Sequence, residues 1–131
     1  VSLVEQVVAD GRALAESLMD DTVTVTRVTG RILSESTGKY ADVTVVVYTG
    51  AARVRPAGGD AAKDAGERAT LVRSYTLSLP MTVTGVEPDD VATVTASPLD
   101  AGMVGVRLRV VGQVHGTQVT ARRLSVEEVT N

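Results

Sequence analysis

The stretch RATLVRSYTLSLP, Arg68 to Pro80, decides how this chain is read. Leu71, Tyr75, Leu77 and Leu79 fall on one parity, and Val72, Ser74, Thr76 and Ser78 on the other. Period-two alternation of this kind marks a strand with one face on a core. Pro80 ends it, because proline has no N–H to give to a ladder.

The same period continues in both directions. Upstream, Thr22 to Thr29 alternates threonine and valine, and Arg27 breaks the face of Val23 and Val25. A bulge near Arg27 accounts for that break. A short strand over Arg31–Glu35 precedes a turn at Ser36, Thr37 and Gly38. Asp42 to Tyr48 carries Val43, Val45, Val46 and Val47, so it reads as a central strand covered on both faces. Gly50 punctuates, and Ala51–Pro56 forms a further strand with Arg53 and Arg55 on one face and Val54 on the other. Downstream, Met81–Val86 extends along an edge and Val91–Ala96 is a short strand. Val106, Leu108 and Val110 face inward with Arg107 and Arg109 outward. A hairpin over Gly112–Thr117 holds His115, and Gln118–Val129 closes the chain.

Between the strands lies Ala57–Gly66, the segment AGGDAAKDAG. It has no large apolar residue and reads as a mobile, structureless loop of the kind that carries function, or else as a neutral surface excursion. The first twenty residues follow another rule. Ser2 and Glu5 have the spacing of a capping box, and Leu3, Val4, Val7, Val8, Leu14 and Leu18 recur on one helical face. This predicts a helix over residues 3–19, weakened at Gly11. Its apolar face packs on its own domain or docks on a partner subunit.

The fold expected is a single mainly β domain of about seven strands, a small barrel or sandwich over residues 22–129 with one N-terminal helix. Composition agrees. The chain has 131 residues, is 44% hydrophobic and contains no Cys, Trp or Phe, so the core is aliphatic. These absences exclude disulfides, thiolate chemistry, iron–sulfur clusters and cysteine zinc sites. One histidine excludes a multi-histidine metal site. Scarce aromatics argue against base stacking, and a net charge of −3 argues against a basic nucleic-acid-binding domain. No apolar run has the length of a membrane span, and no secretory signal is visible. A soluble protein made in a cytoplasm is expected.

Catalytic signals are absent. Glu87, Asp89, Asp90 and Asp100 lack the spacing of a calcium loop and read as an acidic turn. His115 reads as an exposed turn residue, since no G-x-S-x-G elbow supplies a nucleophile. Gly58–Gly59 lacks the G-K-[ST] of a phosphate loop. No cofactor, metal or enzymatic activity is expected. Arginine far outnumbers lysine, and Arg53, Arg55, Arg107, Arg109, Arg122 and Arg123 sit on strands. Arginine is favoured at interfaces, so Arg53, Arg55, Arg107 and Arg109 are candidate subunit contacts. Arginine-rich codon usage is the alternative.

Three segments, in order, carry a resemblance: VYTGAARVRP (Val47–Pro56) with the strand ending Leu79–Pro80, DDVATVTASPLDAGMVGVRLRV (Asp89–Val110), and TARRLSVEEV (Thr120–Val129). Together they resemble the head-to-tail stopper, or head-closure, proteins of long-tailed phages of high-GC hosts. The resemblance implies a small β-barrel that forms a homo-oligomeric ring in the virion neck, assembled in the host cytoplasm. Such a ring lies below the portal–adaptor complex, retains packaged DNA and docks the tail terminator or tail tube. It also implies a lumenal, DNA-gating loop formed by Ala57, Gly58, Gly59, Asp60, Ala61, Ala62, Lys63, Asp64, Ala65 and Gly66. DNA passes such a lumen without specific binding, and no membrane is involved. A tail terminator or other neck protein, or a monomeric β-sandwich binding module, remains the alternative.

Overall fold

A computed structural model describes residues 2–57, 61–65, 68–114 and 119–129, with the backbone alone at 61–65, 68–72 and 114. Helix α1 spans Leu3–Ser17. It starts with the expected capping box: the Ser2 hydroxyl accepts from the Glu5 N–H, and the Glu5 carboxylate accepts from the Ser2 N–H, both at 3.1 Å.

The strands are β1 (Asp21–Leu33), β2 (Tyr40–Pro56), β3 (Ala61–Ala65), β4 (Arg68–Val72), β5 (Ser74–Leu79), β6 (Val91–Ala96), β7 (Arg107–Val114) and β8 (Arg122–Glu128). Six of them close a barrel in the order β1-β2-β5-β8-β7-β6, every described pairing antiparallel. The mainly β fold with one N-terminal helix is therefore as expected. Inward parity fills the barrel: Val23 and Val25 from β1, Ala52 from β2, Leu77 and Leu79 from β5, Ala92 and Val94 from β6, Leu108 and Val110 from β7, Leu124 and Val126 from β8. All are aliphatic. Barrel diameter falls with strand number, and six strands leave an interior that Val, Leu and Ala fill without larger rings.

Closure explains several departures from the sequence reading. Thr22–Thr29 and Arg31–Glu35 are one strand, β1, with register shifts at Val25/Thr26 and Val28/Gly30. The first shift is the irregularity expected near Arg27. Arg68–Leu79 is two strands, because the chain changes sheet at Arg73, between β4 and β5. The loop expected over Ala57–Gly66 is corrected in part: residues 61–65 form β3 and pair with β4 from Ala61↔Val72 to Ala65↔Arg68. A ladder needs only backbone groups, so the missing apolar side chains did not prevent a strand. Residues 58–60 and 66 lie outside the described residues. Met81–Val86 is not a strand. It is a turn and an irregular crossing that lays Val83 and Val86 against the core. The final strand is shorter than expected, Arg122–Glu128.

Two corrections matter for function. Asp42–Tyr48 is not a covered central strand. β6 pairs with β1 only as far as Thr26, and β5 pairs with β2 only from Arg53. Beyond those points β1 and β2 leave the barrel as a two-stranded arm, whose Val28, Ile32, Leu33, Tyr40 and Val46 are exposed. Helix α1 likewise does not pack its apolar face on the domain, since none of its residues is buried. It rests on the barrel through Gly11, where a Cβ would come within 2.7 Å of Thr120 Cγ2, and through Arg12, whose Nε donates to Val119 O at 3.3 Å.

Two stability predictions follow from this division of labour. Leu77→Ala lowers unfolding free energy by about 2–5 kcal/mol in urea titration, because the barrel wall cannot collapse onto the cavity. Gly11→Val displaces α1 from Thr120 and speeds hydrogen exchange at residues 119–121, with the urea midpoint nearly unchanged.

Candidate interaction surfaces

The turn before β6 is built on one buried carboxylate. Asp90 is 1% exposed. Arg27 grips it in a fork, Nε to Oδ1 and Nη2 to Oδ2, both at 2.9 Å, and the Glu87 N–H donates to Oδ2 at 2.9 Å. Arg27 Nη2 also donates to Gly85 O. Burial pushes the Asp90 carboxyl up, but the hydrogen bonds from Arg27 and Glu87 outweigh it and hold the group below its ordinary value. Asp89 stands next to it in a left-handed conformation, φ 75°, which turns its carboxylate the other way. There it accepts from Arg109 Nη1 at 2.9 Å, while Nη2 donates to Glu127 at 3.0 Å. Each acid of this turn thus meets an arginine. Among the described residues no group of three or more His, Cys, Asp or Glu is placed to hold a metal ion.

The opposite wall of the barrel is different. Arg53, Ser78 and Arg123 are cross-strand partners on β2, β5 and β8, and Arg55 lies opposite Thr76. All have outward parity, because Ala52, Leu77 and Leu124 point into the core. Arg53, Arg55 and Arg123 line a groove of about 270 Å³ whose far wall is α1, with Gly11, Leu14, Ala15 and Leu18. Ser78 is buried at its floor. Elsewhere the arginines are engaged: Arg12 with Val119, Arg31 with Asp42, Arg73 with Glu128, Arg122 with Met81 O. Among the described side chains, Arg53, Arg55 and Arg123 have no hydrogen-bond or ion-pair partner.

The candidate contacts Arg53, Arg55, Arg107 and Arg109 therefore separate into two groups. Arg109 is bound within its own chain, and Arg107, on the same strand opposite Thr93, is also engaged. Arg53 and Arg55 are brought together with Arg123, whose place in the set depends on β5 lying between β2 and β8. Alternation put Arg53 and Arg55 on one face of their strand; that Arg123 joins them depends on the strand order. The Arg27–Asp90 pair joins residues 63 apart and had no local signal. Of the lumenal candidates, Ala57 donates its N–H to Ser74 O at 3.1 Å, residues 61–65 lie on β3, and residues 58–60 and 66 are outside the described residues. His115 is outside them as well.

Fold and surfaces define the class: a small closed antiparallel barrel that presents an apolar arm, an apolar helix face and a basic groove. More particularly, the chain belongs to the family of unknown function DUF6093, whose pattern matches residues 11–127. No curated protein matches it.

Asp90→Ala costs roughly 1–3 kcal/mol, since the Arg27 guanidinium and the part-buried Glu87 N–H lose their acceptor. Because the folded-state pKa is lowered, the contribution of Asp90 is complete above the ordinary carboxylate value near 3.9. It disappears as pH falls through the folded value. Acid titration of unfolding shows a flatter low-pH limb in Asp90→Asn than in the wild type.

Proposed function

We propose that this chain is a structural subunit of the neck of a long-tailed phage, a head-to-tail stopper. It assembles as a homo-oligomeric ring below the portal–adaptor complex, retains packaged DNA and docks the tail. The observation that carries this reading is the β3–β4 ribbon. Pro56 of β2 faces Tyr75 of β5, so the barrel closes without residues 58–72. The ribbon is an addition to a complete barrel, inserted where adjacent strands leave and return. The resemblance to stopper proteins implies that such an inter-strand addition lies in the lumen of the ring. Asp60, Asp64 and Glu67 stand against Lys63 and Arg68 in this stretch, so it does not attract phosphates.

The order of the three resembling segments supports the same role, which is one of shape rather than catalysis. A tail terminator is expected to carry a second long helix after residue 60. Among the described residues, only the 3₁₀ turn Ala101–Met103 is helical after α1.

Negative-stain imaging of the protein mixed with portal–adaptor assemblies tests the proposal. An added ring below the adaptor is expected, and a strictly monomeric protein that leaves the adaptor bare overturns it. Excising residues 58–72 is expected to keep the barrel folded by circular dichroism and to release packaged DNA from particles. Particles that retain their DNA would remove the ribbon from the gate.

A further inference from the structure

Strand β1 makes its last pairing with β6 at Thr26, opposite Val91, and the next residue is Arg27. The register of β2 shifts at the same place. Val25 faces Tyr48 and Thr26 faces Val46, which leaves Val47 as the extra residue. A bulge bends the strand that carries it, so the arm leaves the barrel at a bend. Because the extra residue lies on β2, β1 keeps its alternation. Arg27 therefore takes the inward position after the buried Val23 and Val25, just past the last pair with β6.

Residues 81–90 cross that end of the barrel as a strap between β5 and β6 and belong to no strand. Val83 is buried, and Val86 packs against the core. Three barrel strands hold the strap with arginines. Arg122 of β8 donates to Met81 O at 2.9 Å, and Arg109 of β7 donates to Asp89 at 2.9 Å. Arg27 of β1 donates to Gly85 O and to both carboxylate oxygens of Asp90, and its Nη2 stands 3.6 Å from Glu87 Oε2. Of the three, Arg27 alone stands at the base of the arm. Past it the arm is tied to itself: Thr29 Oγ1 donates to Val43 O at 3.3 Å, and Arg31 meets Asp42 at 3.2 Å.

We infer that the Arg27–Asp90 fork is a latch shared by the strap and the arm. It closes the strap over the barrel end and fixes the direction of the arm, and the two are released together. The latch belongs to a single copy and does not depend on the ring reading. A bidentate guanidinium–carboxylate pair is selective for angle as well as distance, which suits it to fixing a direction.

Burial makes the release cooperative. Asp90 is 1% exposed, and a carboxylate this deep is not kept charged without its partner. When the arm swings and takes Arg27 with it, Asp90 must move to water or take up a proton. The Glu87 N–H then loses its charged acceptor, and the strap loses its seat. A strap that lifts first takes Asp90 and Gly85 O away from Arg27. The Arg27 side chain, already 33% exposed, then turns to solvent, and only the β1–β2 ladder holds the bend.

The chain lacks cysteine, so labels can be placed singly. Spin labels at Ser36→Cys, on the arm tip, and at Ser125→Cys, on the outer face of β8, report the direction of the arm. Hydrogen exchange reports the strap. With Arg27 and Asp90 present, a single narrow distance distribution is expected. Arg27→Met is expected to broaden it and to speed exchange over residues 81–90 roughly tenfold or more, while β5 and β8 keep their protection. Asp90→Asn is expected to do the same, and the double variant no more than either single one, because both act through one fork. Arg27→Lys keeps the charge and gives up the fork. It is expected to fall between, and it carries the test if the Met variant does not fold. A broad distribution before any latch substitution overturns the shared latch. So does an arm left unchanged while strap exchange rises, or effects of the two substitutions that add in the arm. Protection lost in β5 and β8 together with the strap also overturns it, because the fork would then hold the whole barrel.

Discussion

Six strands must close around an interior that only aliphatic side chains fill, and most of the molecule follows from that constraint. Leu77 on β5 stands beside Leu124 on the neighbouring β8, and with Leu79, Leu108 and the inward Val and Ala residues they make one core cluster. A wider barrel would need larger residues or would leave a cavity with its cost in lost contacts. The absence of Phe and Trp, which first excluded base stacking and aromatic clamps, is thus also a fit between composition and radius. Closure removes the open edges that a sheet of valine and threonine would otherwise present.

Closure also decides what is left over. β1 and β2 are longer than the barrel can use, and the surplus becomes the arm. The chain between β2 and β5 is longer than a hairpin needs, and the surplus becomes the β3–β4 ribbon. Helix α1 precedes the barrel and contributes nothing to its core. Each of these could be lost without opening the cylinder. Segments that stability does not require, yet which place apolar side chains in water, are where interaction is expected.

The alternating strands were legible because each barrel strand has one inward parity, and Leu77, Leu108 and Leu124 obey it. The capping box of α1 was legible because it is local. What failed was information about neighbours. Val43 to Val47 looks like a buried strand in sequence, but among the described residues only β1 pairs with it. Leu3, Val4 and Val7 make a helical stripe whatever they face, and here they face outward. Residues 61–65 lack the side chains by which strands are recognised and still pair through backbone. The basic groove was half legible: alternation put Arg53 and Arg55 on one face, whereas Arg123 joins them through strand order. The Arg27–Asp90 fork depends on the crossing over the barrel end, which no pattern encodes.

The two walls of the barrel show how one residue type serves two ends. On the β6–β7 side, Arg27 and Arg109 are consumed by Asp90, Asp89 and Glu127, and they fix the acidic turn against the barrel. A guanidinium spent in this way is a clamp, and its removal is felt as lost stability. On the β2–β5–β8 side the same group meets no acid among the described residues, beside a helix whose Leu3 and Leu14 are exposed. Among the described residues most of the arginines are thus engaged within their own chain, in a protein whose net charge is −3.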